Sequence, residues 1–183
     1  MPIRFGTYNI PNGHNGGLEL ALWGMAQANM DLGIFQETKC TEIVYTRESA
    51  GYSVVVTDAP SQHRGGVPVF YRTSPYFEVE AVGQFGPNVI GFQLETGVWR
   101  WYIIGCYLAP DNTSTIESVV AALKERPRGA ALLMAGDLNT TLTEQENDRR
   151  GTYIAAALTE EVLKDMATHF LPRQRKWCRE RRT

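Results

Sequence analysis

The sequence predicts an α/β domain in which short strands alternate with a few amphipathic helices. Three observations carry this. Runs of apolar, β-branched and aromatic residues are bounded by Gly, Pro and Asn clusters; two segments repeat apolar residues at helical spacing; and three of the apolar runs end in a polar side chain.

Taken in order, Ile3 to Ile10 reads as a first strand and delivers Asn9 just before a Gly/Asn-rich turn, Pro11 to Gly17. Leu18, Ala21, Leu22 and Met25 follow the i, i+3, i+4, i+7 pattern, which predicts a helix over 18–30 with its apolar stripe on a sheet. A short apolar strand then leads from Asp31 to Glu37, with Lys39 two residues on. Tyr52 to Thr57, Val67 to Tyr71, Tyr76 to Val82, Val89 to Glu95 and Trp99 to Tyr107 read as successive strands that pair antiparallel with their neighbours. Turn signals at Pro60, Gly65-Gly66, Ser74-Pro75, Gly86-Pro87 and Gly97 separate them. A second helix over 114–126 turns Ile116, Val119, Val120 and Leu123 inward. Ser114 and Glu117 form its capping box, and Pro127 stands past its end. The chain returns through Leu132-Leu133-Met134-Ala135-Gly136-Asp137, and a third helix is expected over 152–169. The chain contains no internal repeat or low-complexity tract.

With 183 residues, 43% of them hydrophobic and 21% charged, one sizeable core and one domain spanning 1–183 are expected. No stretch is long and apolar enough to predict a membrane span, and no secretory leader pattern opens the chain, so an intracellular protein is expected. Three cysteines, Cys40, Cys106 and Cys178, have no metal-type spacing. Cys106 lies in an apolar strand and reads as a small core residue. Charge is uneven: residues 172–183 hold six basic side chains against one acid, so the remaining 171 residues carry −7 of the net −2. An acidic body does not hold nucleic acid by general electrostatics, so any such contact has to be local. The basic tail serves either that contact or simply solvation.

The chemistry-bearing residues sit at strand exits. Asp137 and Asn139 are two apart, and strand alternation would put both on one face, within reach of one ligand. The plainer alternative is a turn cap, with Gly136 for the bend and Asp137 holding backbone N–H groups. Glu37 is a second carboxylate at a strand end, whose plainer alternative is a surface ion pair with Lys39. With Asn9 these make an oxygen-only donor set that suits Mg²⁺ or Mn²⁺ better than zinc.

Thr7-Tyr8-Asn9-Ile10, Gln36-Glu37-Thr38-Lys39, Gly65-Gly66-Val67, Gly105-Cys106-Tyr107-Leu108-Ala109-Pro110 and Gly136-Asp137-Leu138-Asn139 resemble, in order and spacing, the motifs of the endonuclease/exonuclease/phosphatase superfamily. Within it the chain is most similar to the abasic-endonuclease-like domain that precedes reverse transcriptase in non-LTR retrotransposons. The resemblance covers essentially the whole chain and implies a DNase I-like four-layer α/β sandwich of two packed mixed sheets. It implies Mg²⁺- or Mn²⁺-dependent phosphodiester hydrolysis on DNA, as a monomeric nuclear endonuclease that nicks a target site. Element RNA is a further partner through a parent polyprotein. By the same resemblance Glu37 and Asn9 hold the ion, Asp137 orients the attacking water, and Asn139 holds that Asp or the phosphate. Tyr107 stabilises the transition state, and Lys39, Arg64 and Asn112 touch substrate.

Two departures stand out. Members of this family carry a late Ser-Asp-His motif, and the 183 residues contain none. The sequence is therefore expected to be a copy incomplete at its C-terminus, lacking the last strands of one sheet and impaired in activity. His14, His63 and His169 lie in a turn, a polar loop and a helix end, and read as structural or solvated. Pro11 stands where abasic-repair enzymes have an Asp, which argues against abasic-site repair. A catalytically dead DNA- or partner-binding remnant is the alternative from another class, and a different phosphodiesterase or phosphatase of the superfamily is the third.

Overall fold

The computed structural model describes residues 3–10, 16–39, 51–56, 65–74, 76–97, 99–108 and 114–139. The expected third helix, the basic tail, Arg64, Asn112 and all three histidines lie outside these residues. The described part contains β1 (Phe5–Asn9), α1 (Gly17–Gln27), β2 (Leu32–Gln36), β3 (Tyr52–Val56), β4 (Pro68–Arg72), β5 (Glu78–Gly86), β6 (Val89–Thr96), β7 (Trp99–Tyr107), α2 (Ser114–Lys124) and β8 (Ala131–Asp137). None of its helices is long and apolar enough to cross a membrane.

These strands form two four-stranded mixed sheets, ordered β1-β2-β4-β3 and β5-β6-β7-β8. Each sheet has one parallel pair joined through a helix, β1 with β2 through α1 and β7 with β8 through α2, and its other pairings are antiparallel. That is the α/β architecture the alternation predicted, since parallel neighbours need a crossover and antiparallel ones only a turn. β5 runs to Gly86, four residues beyond the expected Val82, because its ladder with β6 absorbs register shifts and closes on a two-residue turn.

The sheets pack face to face with little room to spare. A Cβ on Gly105 of β7 would come within 3.1 Å of Ile34 Cγ2 on β2 and 3.3 Å of Val67 Cγ1. Ile34, Val67, Val69, Ile90, Ile103 and Ile104 are all essentially solvent-free. On the opposite face of the first sheet, α1 buries Leu22 and Met25 against Phe35, Tyr52, Val54 and Phe70, and the Phe35 and Phe70 rings meet edge to face at 5.3 Å. Leu18 and Ala21 complete the expected stripe. α2 buries Thr115, Ile116, Val119 and Ala122; Val120 and Leu123 are only half-buried, so its inward face is rotated from the one the sequence suggested.

An ion-pair clamp ties down the end of the first sheet where β1 and β2 begin. The Arg72 guanidinium donates to Asp31 Oδ1 at 3.1 Å, Asn29 Oδ1 at 2.8 Å, Met30 O at 2.9 Å and Tyr52 Oη at 3.1 Å. Asp31 Oδ2 in turn accepts the Arg4 N–H at 2.9 Å.

Candidate active site

The two parallel pairs bring four strand exits to one end of the sandwich. Asn9 is the register partner of Gln36 at the exits of β1 and β2, and Tyr107 is the partner of Asp137 at the exits of β7 and β8. Side chains of partners in a ladder share a face. Thr7, Asn9 and Gln36 thus stand on the Ile34 face of the first sheet, which looks toward Gly105 and Tyr107 of the second.

Glu37 and Tyr107 meet across the gap. The Tyr107 hydroxyl donates to Glu37 Oε1, and no hydrogen bond occupies Glu37 Oε2 among the described residues. Tyr107 is thus a partner of this carboxylate among the described residues. Glu37 stands one residue past β2 with a left-handed backbone, φ 59°, and Lys39 shares that value. Both are held there: the Ile10 N–H donates to Gln36 O at 2.8 Å, and the Lys39 N–H to Gly65 O at 2.8 Å. The Gln36 amide, nearly solvent-free, donates to Thr7 Oγ1 at 2.7 Å and to Ile34 O at 2.9 Å, which locks the exit of β2 to that of β1. Left-handed non-glycine residues cost about 1–2 kcal/mol each and persist where the surroundings over-determine them.

Asp137 and Asn139 are joined by a turn. Gly136 has φ 146° and Asn139 φ 43°, so the extended alternation does not continue past β8. The Asn139 N–H donates to Asp137 Oδ1 at 3.0 Å, and the Asn139 side-chain amide donates to Leu108 O at 2.9 Å. Strand alternation therefore does not place this pair, contrary to expectation; an Asx turn does, the plainer reading of this segment. The turn still leaves Asp137 half-exposed at the same strand exits as Glu37. It also ties β8 to β7 a second time, through the Leu108 N–H that donates to Asp137 O at 2.8 Å.

Cys106 is fully buried and free, as expected, and burial with the neighbouring Asp137 charge lifts its thiol to about 12. It is inert at neutral pH.

The donors at this end are oxygens: one carboxylate at Glu37, the Asn9 amide at the neighbouring exit of β1 and the Asp137 carboxylate on the other sheet. Among the described residues no three His, Cys, Asp or Glu side chains gather into a cage. That sparse arrangement fits Mg²⁺, which dehydrates reluctantly and binds through one or two carboxylates plus substrate phosphates.

One residue of this region was missed. Asn88, between β5 and β6, is buried and bonded to both the Gly66 and Tyr107 backbones. Its sequence context, Gly-Pro-Asn between two strands, signals only an exposed turn.

No protein-family model matches the chain, and no curated protein matches it in sequence. Solved structures do match. The endonuclease domain of TRAS1, a telomere-specific non-LTR retrotransposon, superposes with a TM-score of 0.64 at 19% identity, over 86% of this chain and 69% of that one. The chain has the DNase I-like fold. An AP endonuclease from Archaeoglobus fulgidus shares that fold at TM-score 0.56 and 18% identity, over 85% of this chain and 70% of its own. An endonuclease/exonuclease/phosphatase family protein from Bacteroides thetaiotaomicron matches at 0.56 and 12%, over 84% and 68%. At these identities the DNase I-like likeness is one of fold.

Proposed function

We propose that this DNase I-like chain is the DNA-nicking endonuclease domain of a non-LTR retrotransposon and hydrolyses a phosphodiester with Mg²⁺ or Mn²⁺. The observation that carries the reading is the Tyr107 hydroxyl on the Glu37 carboxylate, at the strand exits that also hold Asn9 and Asp137. The TRAS1 endonuclease domain supports it as a structural neighbour.

Glu37 Oε2 and the Asn9 carboxamide would hold the ion. When bound, the ion supplies charge neutralisation at the scissile phosphate and at the leaving oxygen. Asp137, oriented by the Asn139 N–H, orients the attacking water and accepts its proton. Tyr107 keeps the Glu37 carboxylate in place until substrate arrives, and its single O–H then turns from that carboxylate to the charge that develops on the phosphate. The Lys39 ammonium and, outside the described residues, Arg64 and Asn112 are the proposed contacts to flanking DNA.

The test is nicking of supercoiled plasmid with Mg²⁺ by the 183-residue chain, run beside a form fused at Thr183 to a segment carrying Ser-Asp-His. That is the one motif of the resemblance absent from the sequence. Metal-dependent nicking by at least the fused form is expected, abolished by Glu37→Gln and by Asp137→Asn. If both forms are folded by circular dichroism and neither nicks, the proposal fails and a binding role replaces it.

A further inference from the structure

Pro87 and Asn88 make the two-residue turn between β5 and β6, since Gly86 and Val89 are register partners. Hairpin turns are ordinarily solvated, yet Asn88 is only 3% exposed. Both of its carbonyl groups are spent near the candidate site. Its side-chain Oδ1 accepts the Gly66 N–H at 3.2 Å, and its main-chain oxygen accepts the Tyr107 N–H at 3.0 Å.

These bonds belong to a closed path. From Glu37 the chain runs to Lys39, whose N–H donates to Gly65 O. The next residue, Gly66, donates to Asn88; Asn88 accepts from Tyr107; and the Tyr107 hydroxyl returns to Glu37. The path links the two sheets twice, once through the Tyr107–Glu37 contact and once through Asn88. Elsewhere apolar contacts fill the space between the sheets, and such contacts are non-directional. Hydrogen bonds are directional and fix separation within a few tenths of an ångström. Gly66 holds φ 86°, a conformation that L side chains rarely adopt, so the N–H aimed at Asn88 depends on glycine at that place.

We infer that Asn88 is a positioning residue that sets the Tyr107 hydroxyl against the Glu37 carboxylate by tying the Gly65-Gly66 segment to the exit of β7. The inference rests on the proposed role of that pair and deepens it. Asn88 touches neither substrate nor ion; it acts through Tyr107 and through the segment behind Glu37.

The experiment compares Asn88→Ala with Asn88→Asp in the full chain. Asn88 is not among the left-handed residues, so both replacements adopt its backbone. Ala deletes the acceptor for Gly66, and Asp keeps one. The first readout needs no catalysis. It is the ¹³Cζ resonance of Tyr107 in tyrosine-labelled protein, assigned with Tyr107→Phe, which reports hydroxyl donation to a carboxylate. In Asn88→Ala this resonance is expected to move toward that of a solvent-exposed tyrosine, and Asn88→Asp restores it. The second readout is nicking: turnover in Asn88→Ala drops on the order of tenfold at nearly unchanged KM, as for a small misplacement of a reacting group, and recovers in Asn88→Asp. Should Asn88→Ala not fold, Asn88→Ser, whose hydroxyl is too short to reach Gly66, takes its place. An unmoved Tyr107 resonance in the Ala or Ser variant overturns the inference, as does an equal displacement in the Asp variant. A wild-type protein that binds metal but never nicks counts against the proposed function alone, and the resonance still decides on Asn88.

Discussion

Gly136 of β8 lies directly against Cys106 of β7. The two are register partners, and a Cβ on Gly136 would come 1.8 Å from the Cys106 carbonyl oxygen. With φ at 146°, the position is closed to side chains twice over, by backbone conformation and by contact. Gly136→Ala is therefore expected to prise β8 from β7 and displace Asp137, at a cost of more than about 3 kcal/mol. Urea unfolding of the purified variant measures this. A midpoint within error of the wild type would show that the strand exits are more pliable than the geometry allows.

Tyr107→Phe removes one hydroxyl from a nearly buried ring and leaves the packing of β7 intact. If Tyr107 acts on developing charge, nicking turnover falls roughly a hundredfold with KM little changed, in line with loss of one transition-state donor. A rise in KM at constant turnover would instead assign the hydroxyl to ground-state binding.

The Arg72 clamp lies at the other end of the first sheet and separates stability from activity. Arg72→Met takes the donor from Asp31 Oδ1 and Asn29 Oδ1, although Asp31 Oδ2 keeps the Arg4 N–H and Met30 O keeps the Tyr52 hydroxyl, for an expected loss of roughly 1–3 kcal/mol in denaturant unfolding. Arg72→Lys rescues only in part, because one ammonium cannot reproduce a planar fork over four acceptors. Metal-dependent activity of the folded fraction should be unchanged in both; a selective loss of turnover would contradict the separation.

Alkaline pH should weaken the fold. Burial, with the Asp137 charge behind it, lifts the Cys106 thiol from 9.0 to about 12, and burial with the Glu125 charge lifts the Tyr102 hydroxyl from 10.0 to about 12. Below pH 9 both states keep these protons and stability is complete. Above it the unfolded chain releases a proton that the native state retains, so stability declines by on the order of 1 kcal/mol per pH unit for the thiol. Tyr102 adds in the same direction from pH 10. Unfolding midpoints between pH 8 and 10.5 test this, with Cys106→Ala expected to flatten the decline. An equal slope in that variant would remove the thiol from the account.

Much of the frame was legible in the sequence. β7 runs from Trp99 to Tyr107 as read, and β1, β2, β3 and β4 lie within a residue or two of their expected bounds, because alternation and turn residues act locally. α1 was legible by its stripe. The site was legible only as a set of strand exits. That Tyr107 would find Glu37, 70 residues away, depends on how two sheets stack, which no local pattern encodes. Asn139 misled because strand periodicity holds only while φ stays extended, and its φ is 43°. Asn88 escaped notice because the Gly66 N–H that it accepts comes from 22 residues away, while its neighbours spell an ordinary turn. Arg72 reads as one more charged strand residue until Asn29, Met30, Asp31 and Tyr52 surround it.

The division of the sheets along the chain has a consequence for assembly. β1 to β4 end at Arg72 and β5 to β8 begin at Glu78, so each sheet is contiguous in sequence and can form its ladders before the other exists. Glu37 belongs to one half and Tyr107 to the other. On a ribosome, the half that bears Glu37 would emerge first, and its carboxylate would wait for a phenol not yet synthesised. A chain cut between Thr73 and Phe77 should behave as a pair of complementing fragments. The Tyr107 resonance would change only on mixing them, which makes that single contact a reporter of the moment the two sheets dock.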